Sequence, residues 1–125
     1  PLSRVNRAVS ANAGWYTLPN ELITYPYGLL NTPSSNNDLE NFFNHNLYIQ
    51  IGTEDTNSND PSLRKTPEAN AQGLNRFERA LYFYSKSDSI CDSKNYNYKW
   101  EINQVQDVGH NHLLMADYAA NFLYQ

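Results

Sequence analysis

The segment that most restricts the fold is Leu47-Tyr48-Ile49-Gln50-Ile51-Gly52, a run of nearly all apolar or β-branched residues. Such a run suits an interior parallel strand covered on both faces, where no side needs to be polar. It passes into Thr53-Glu54-Asp55-Thr56-Asn57-Ser58-Asn59-Asp60-Pro61, a polar loop that cannot continue a strand. The flanking segments alternate in type, as βαβ units do.

Upstream, Arg7-Ala8-Val9-Ser10-Ala11-Asn12-Ala13-Gly14 reads as a short strand of small residues, which would let a helix or ligand approach the sheet closely. Trp15-Tyr16-Thr17-Leu18-Pro19 follows as a loop. Residues 19–41 are rich in Pro, Asn, Ser and Tyr and read as loop or insertion, with a turn at Pro26-Tyr27-Gly28 and a short helical turn over 37–43. Thr66-Pro67-Glu68 supplies an N-cap, a first-turn proline and an early acid. The helix it opens carries Leu74, Phe77, Leu81 and Tyr84 as one apolar stripe, with Phe77 and Leu81 as core. Arg76, Glu78 and Arg79 fall off the stripe, although Arg76 borders it, and a solvated face is expected of the two arginines ahead of anion binding. A polar loop is expected over 85–97. Tyr98-Lys99-Trp100-Glu101-Ile102 alternates and so predicts a strand near a sheet edge. The last helix places Met115, Tyr118, Ala119, Phe122 and Leu123 on one side. The order is strand, loop, strand, helix, strand, helix, within a single partial domain over 1–125.

Composition limits the function classes. Hydrophobic residues make up 40% and charged residues 18%, which suggests neither disorder nor a membrane protein. No apolar run approaches the ~20 residues of a membrane span. A net charge of -4 argues against nucleic acid as a partner. The single cysteine, Cys91, leaves no internal disulfide and no Cys-rich zinc site, and reads as a small, partly buried hydrophobe in a loop. Pro1 is not an initiator Met and Pro-Leu-Ser-Arg is no signal peptide, so a chain cut from something longer is expected, with its localisation open.

Two residues share one topological position. Asp55 lies three residues past Gly52, and His110 lies between the last strand and the last helix. In open α/β sheets ligands bind beyond the carboxyl ends of the strands, so parallel strands would bring both side chains to one rim. A carboxylate orienting a histidine is the half of a nucleophile–histidine–acid triad that tunes the base. Glu54 and Asp60 compete for the acid role, but Asp60 precedes Pro61 like a turn former and Glu54 would point the other way. The bland reading of His110 is a cap on the last helix, partnered by Asn111 or Asp107. A metal set of His110, His112 and Asp55 ranks behind the triad, since His45 lies at the opposite end of the central strand. Trp15 and Tyr16 are candidates for a substrate wall.

At these residues the sequence resembles the C-terminal part of the α/β-hydrolase family. Ile49 through Asp55 is similar to that family's strand, glycine and acid loop, and Val108-Gly109-His110-Asn111-His112 to its histidine loop. Arg7 through Pro19 resembles the strand and loop after the nucleophile helix. Ala71-Gln72-Gly73-Leu74-Asn75-Arg76 with Arg79-Ala80 resembles an esterase-type subgroup of bacterial hydrolases. The resemblance implies a three-layer α/β fold with about three parallel strands, and Asp55 and His110 as acid and base of a Ser-His-Asp triad. It implies an ester or related acyl substrate, small or polymeric, and no cofactor. The sequence departs from the family in one respect, having no G-x-S-x-G elbow; Ser10 lacks flanking glycines and precedes no helix. The nucleophile and oxyanion donors are then expected upstream of Pro1, and the open sheet edge is expected to be covered by that missing part or by self-association. The rivals are a non-enzymatic α/β interaction module and a metal-dependent hydrolase using His110, His112 and Asp55.

Overall fold

In the computed structural model, which describes residues 4–33 and 38–125, three parallel strands form one sheet in the order β1-β2-β3. These are β1 (Arg7–Ala11), β2 (Asn46–Gly52) and β3 (Glu101–Val105). Val9 lies opposite Tyr48, and Gly52 opposite Val105. Four helices complete the described residues: α1 (Leu39–Phe43), α2 (Pro67–Asn70), α3 (Arg76–Ser93) and α4 (His112–Leu123).

The layering follows from alternation along β2, because successive side chains leave a strand on opposite faces. Ile49 and Ile51 point into the main core with Ala80, Phe83 and Cys91 of α3. Tyr48 and Gln50 point the other way: Tyr48 stacks on Phe122 of α4 at 3.9 Å, and Gln50 Nε2 donates to the Met115 carbonyl at 2.7 Å. One sheet thus separates α3 from α4, so both faces of β2 are covered and its one polar inward residue, Gln50, is buried against α4. Phe43 and Trp100 (5.1 Å) and Phe83 and Trp100 (5.5 Å) close the α3 side with aromatic pairs.

The helix expected from Thr66 onward is two helices. Thr66 caps the short α2, its hydroxyl accepting from Ala69 N at 3.2 Å with Pro67 in the first turn. The chain turns at Gly73, whose φ of 143° suits glycine, and restarts when Asn75 accepts from Glu78 N at 2.9 Å. Leu74 therefore lies between helices and is exposed. The buried stripe of α3 is Arg76, Arg79, Ala80, Phe83, Ser87 and Cys91, rotated from the expected one; Phe77, Leu81 and Tyr84 are half-buried. Ser87 and Cys91 extend that stripe, so most of the polar loop expected over 85–97 is helix. Cys91 lies in this helix, not in a loop; its thiol donates to the Tyr96 carbonyl at 3.3 Å, and burial pushes its pKa up.

β3 begins later than the 98–102 segment suggested, because Lys99 N bonds the Phe43 carbonyl at 2.9 Å and Trp100 turns into the core. Within 19–33 the chain forms turns tied by a Thr24–Leu30 bridge. Helix α1 occupies the end of the stretch read as loop, and of the turn expected over 37–43 only Asn37 lies outside the described residues. No helix among the described residues is long and apolar enough to cross a membrane.

Candidate active site

The acid loop and the histidine loop meet because Gly52 ends β2. A Cβ at Gly52 would collide with the Val108 carbonyl, so glycine is what lets the histidine loop cross this close. The two loops are then zipped by backbone. Thr53 N donates to the Val105 carbonyl at 3.0 Å, Glu54 N to the Val108 carbonyl at 2.9 Å, and Asp107 N to Thr53 Oγ1 at 3.0 Å.

Asn12 adds a third strand end to this junction. Its backbone N donates to the Gln50 carbonyl at 2.9 Å, its Oδ1 accepts from Gly52 N at 3.1 Å, and its Nδ2 donates to the Gly109 carbonyl at 3.3 Å. Asn12 has a φ of 46°, a left-handed conformation that asparagine tolerates better than most residues.

This frame sets Asp55 Oδ2 2.9 Å from His110 Nδ1. The Asp55 side chain is 3% exposed and that of His110 52%, so the pair runs from a dry acid to a wet imidazole. An ionised carboxylate only accepts, which places the proton on Nδ1 and leaves Nε2 of the neutral ring free to take one. The capping of α4 falls to Asn111, whose Oδ1 accepts from Leu113 N at 3.1 Å and Leu114 N at 3.2 Å. His110 has no share in it.

The other candidates separate clearly. Glu54 is exposed. Asp60 turns to Arg76, with Oδ2 2.6 Å from Nη1, and its Oδ1 accepts from Ser62 N and Ser62 Oγ at 2.8 Å each. Those Ser62 bonds, and then Arg76, hold the Asp60 carboxyl well below the usual carboxylate range. His112 is an exposed first-turn residue of α4. No group of three or more His, Cys, Asp or Glu residues among the described residues is placed to hold a metal ion, so His110, His112 and Asp55 do not assemble as a ligand set.

Both arginines expected on a solvated face are buried. The Arg79 guanidinium donates to the Gly73 carbonyl (2.8 Å), the Gly14 carbonyl (2.6 Å) and Asn70 Oδ1 (3.1 Å). Arg76, 4% exposed, donates to Asp60 and to Ser62 Oγ (2.9 Å), with Nη1 3.8 Å from Asp55 Oδ1.

Two hollows flank His110. One, of about 550 Å³, is lined by Asn12, Gly14, Trp15, Ser62, Arg64 and Arg76. The other, of about 380 Å³, lies toward Ala11 at the end of β1 and Met115 on α4. Trp15 walls the first hollow, with the Arg64 guanidinium 4.9 Å above its ring. Tyr16 does not share that wall. Its ring is buried and stacks on Phe83 at 4.4 Å, while Gln72 holds its backbone on both sides at 2.9 and 2.7 Å. Burial pushes the Tyr16 hydroxyl up to about 12, so it stays neutral beside Asp55.

Asn12 and Gln72, which the sequence did not mark, hold the site together with Asp60 and Arg76, which it weighed only as a rival acid and as a solvated cation. The available signals were an asparagine at a strand end and an arginine bordering an apolar stripe.

No protein-family model and no curated protein matches the sequence. Solved structures do. Poly(aspartic acid) hydrolase-1 from Sphingomonas sp. KT-1 is 37% identical with a TM-score of 0.92, over 98% of this chain and 46% of its own. The poly(3-hydroxybutyrate) depolymerase LpqC from Bordetella parapertussis is 26% identical with a TM-score of 0.92, over 99% of this chain and 42% of its own. The chain thus spans less than half the length of either structure, and both are α/β-hydrolase-type enzymes. The chain is accordingly of α/β-hydrolase type, with the fold of the C-terminal part of such a protein.

Proposed function

We propose that these residues supply the acid and the histidine of a Ser-His-Asp triad in a serine-type hydrolase acting on carboxylic esters or related acyl bonds. The observation that carries the reading is the 2.9 Å contact between Asp55 Oδ2 and His110 Nδ1 at the carboxyl-end rim of a parallel sheet. Asp55 orients the ring and stabilises the imidazolium; Nε2 of His110 removes the serine proton and returns it to the leaving group. Water then releases the acyl group from the serine by the same base.

The serine belongs to the rest of the protein, because these residues contain no G-x-S-x-G. A strand added in parallel outside β1 would end near Ala11, which lines the same hollow as His110. That geometry supports delivery of a nucleophile to Nε2. Trp15, on the other flank, is suited to wall the substrate. The two similar structures are named for hydrolysis of poly(aspartic acid) and depolymerisation of poly(3-hydroxybutyrate). Their names favour a polymer with repeating acyl bonds as substrate here too.

The test is made on the full-length protein containing this chain, with short p-nitrophenyl esters and a fluorophosphonate label. A serine within G-x-S-x-G should take the label. Asp55→Asn and His110→Ala should each lower kcat by roughly 10³- to 10⁴-fold with the fold retained. Absence of any labelled serine, or full activity in His110→Ala, sinks the reading.

A further inference from the structure

We infer that Arg76 and Asp60 form a charge-balanced brace that positions Asp55 for His110, with Arg76 as a positioning residue. The inference rests on the triad reading and adds to it what holds the acid in place.

Asp55 has two carboxylate oxygens and spends them differently. Oδ2 meets His110, while Oδ1 faces Arg76 Nη1 at 3.8 Å, beyond hydrogen-bond length. The Asp55 backbone is fixed from the same place: its carbonyl accepts from Phe77 N at 3.1 Å, in the first turn of the helix that Arg76 begins. Arg76 is buried, and its guanidinium is held by Asp60 and Ser62.

A guanidinium this close would ordinarily close on the acid and draw its charge away from the imidazole. Asp60 prevents this by taking the 2.6 Å bond to the same Nη1, while Ser62 Oγ takes Nη2 at 2.9 Å. Ser62 in turn donates to Asp60, so the counter-charge is itself anchored. Asp55 therefore sits beside a cation that is already neutralised. The cation packs against the carboxylate and fixes its rotamer without competing for the histidine.

The groups that face the pair are few. Arg76 and Asp60 come from the α3 start and the acid loop. Tyr16 is neutral beside Asp55; Glu54 and Asp107 are exposed on the adjoining loops, Arg64 is exposed where it lines the hollow shared with His110, and His112 is exposed at the start of α4, all unchanged across the test. Removing one member of the brace leaves a net charge whose sign is known. Asp60→Asn leaves Arg76 uncompensated, which disfavours the imidazolium. Arg76→Gln leaves Asp60 uncompensated, which favours it.

The experiment is the pH dependence of kcat/KM for ester hydrolysis by the full-length protein. Asp60→Asn should move the acid limb to lower pH, and Arg76→Gln should move it to higher pH, each by about half a unit or more. The double variant should bring the limb back toward the wild-type position. Arg76→Gln should also lower kcat by roughly 10- to 100-fold with KM little changed, as expected when a catalytic group is misplaced. Arg76→Lys should keep the limb in place and recover part of kcat, since one ammonium cannot replace the guanidinium fork.

Shifts of the same sign in both single variants, or none in either while His110→Ala is inactive, would overturn the brace and leave the triad standing. If Arg76→Gln fails to fold, Asp60→Asn alone decides, at a partly exposed position; an unmoved limb overturns the inference. Full activity in His110→Ala removes both readings together.

Discussion

Among the described residues Arg79 has no carboxylate partner, yet its side chain is completely buried. Burial lowers its pKa, but an arginine begins so far above neutrality that it stays charged. What holds it is three neutral acceptors, from Gly14, Asn70 and Gly73, which tie the loop after β1 to the α2–α3 junction. Arg79→Met keeps most of the volume and removes every donor, leaving those acceptors in a dry site. A loss of roughly 2 to 4 kcal/mol in unfolding free energy should follow, read from urea melts of the full-length protein. A change under about 0.5 kcal/mol would show that water replaces the guanidinium. The role was not legible in sequence, because it depends on the turn between α2 and α3 and on Gly14, far off in the chain, and a count of apolar residues marks arginine as outward. The meeting of Asp55 and His110 was legible for the opposite reason, each being fixed by where its own strand ends.

Among the elements, β2 was the most readable and α3 the least. Nearly continuous apolar character on a strand favours one environment, and β2 has it apart from Gln50 and the leading Asn46. On α3 the apolar stripe led away from the buried one, because arginine, serine and cysteine occupy inward positions that patterning scores as polar or neutral. The joint between Gly52 and the histidine loop depends on a tertiary contact, invisible until Val108 is seen against it. It yields an element-level prediction. Gly52→Ala should force the histidine loop outward and lengthen the Asp55–His110 contact. We expect kcat to fall by roughly 10²-fold, with a stability loss of about 1 to 3 kcal/mol. Urea melts and ester kinetics on one preparation would measure both. A stable variant with unchanged kcat would mean that the loop yields without moving His110.

For the molecule as a whole, the unpaired outer edge of β1 is the dominant feature. Among the described residues β1 pairs only with β2. Nearby, α4 leaves Leu113, Leu114 and Tyr118 exposed. A parallel sheet with an open edge and an apolar helix face beside it is prone to pair with other chains. Two copies meeting at β1 about a two-fold axis would pair antiparallel, since an isologous contact presents the same edge in opposite directions. A serine-bearing strand of the α/β-hydrolase type would instead join in parallel. The two arrangements need the same backbone groups and exclude each other. We predict that these 125 residues, expressed alone, self-associate with concentration in sedimentation velocity. Co-expression with the remainder of the protein should replace the oligomer by a one-to-one complex carrying esterase activity. A monomer at every concentration, melting cooperatively and binding no hydrophobic dye, would mean that the edge and the α4 face are already satisfied. Self-association that persists beside the added remainder would mean that β1 is not where the serine-bearing strand docks.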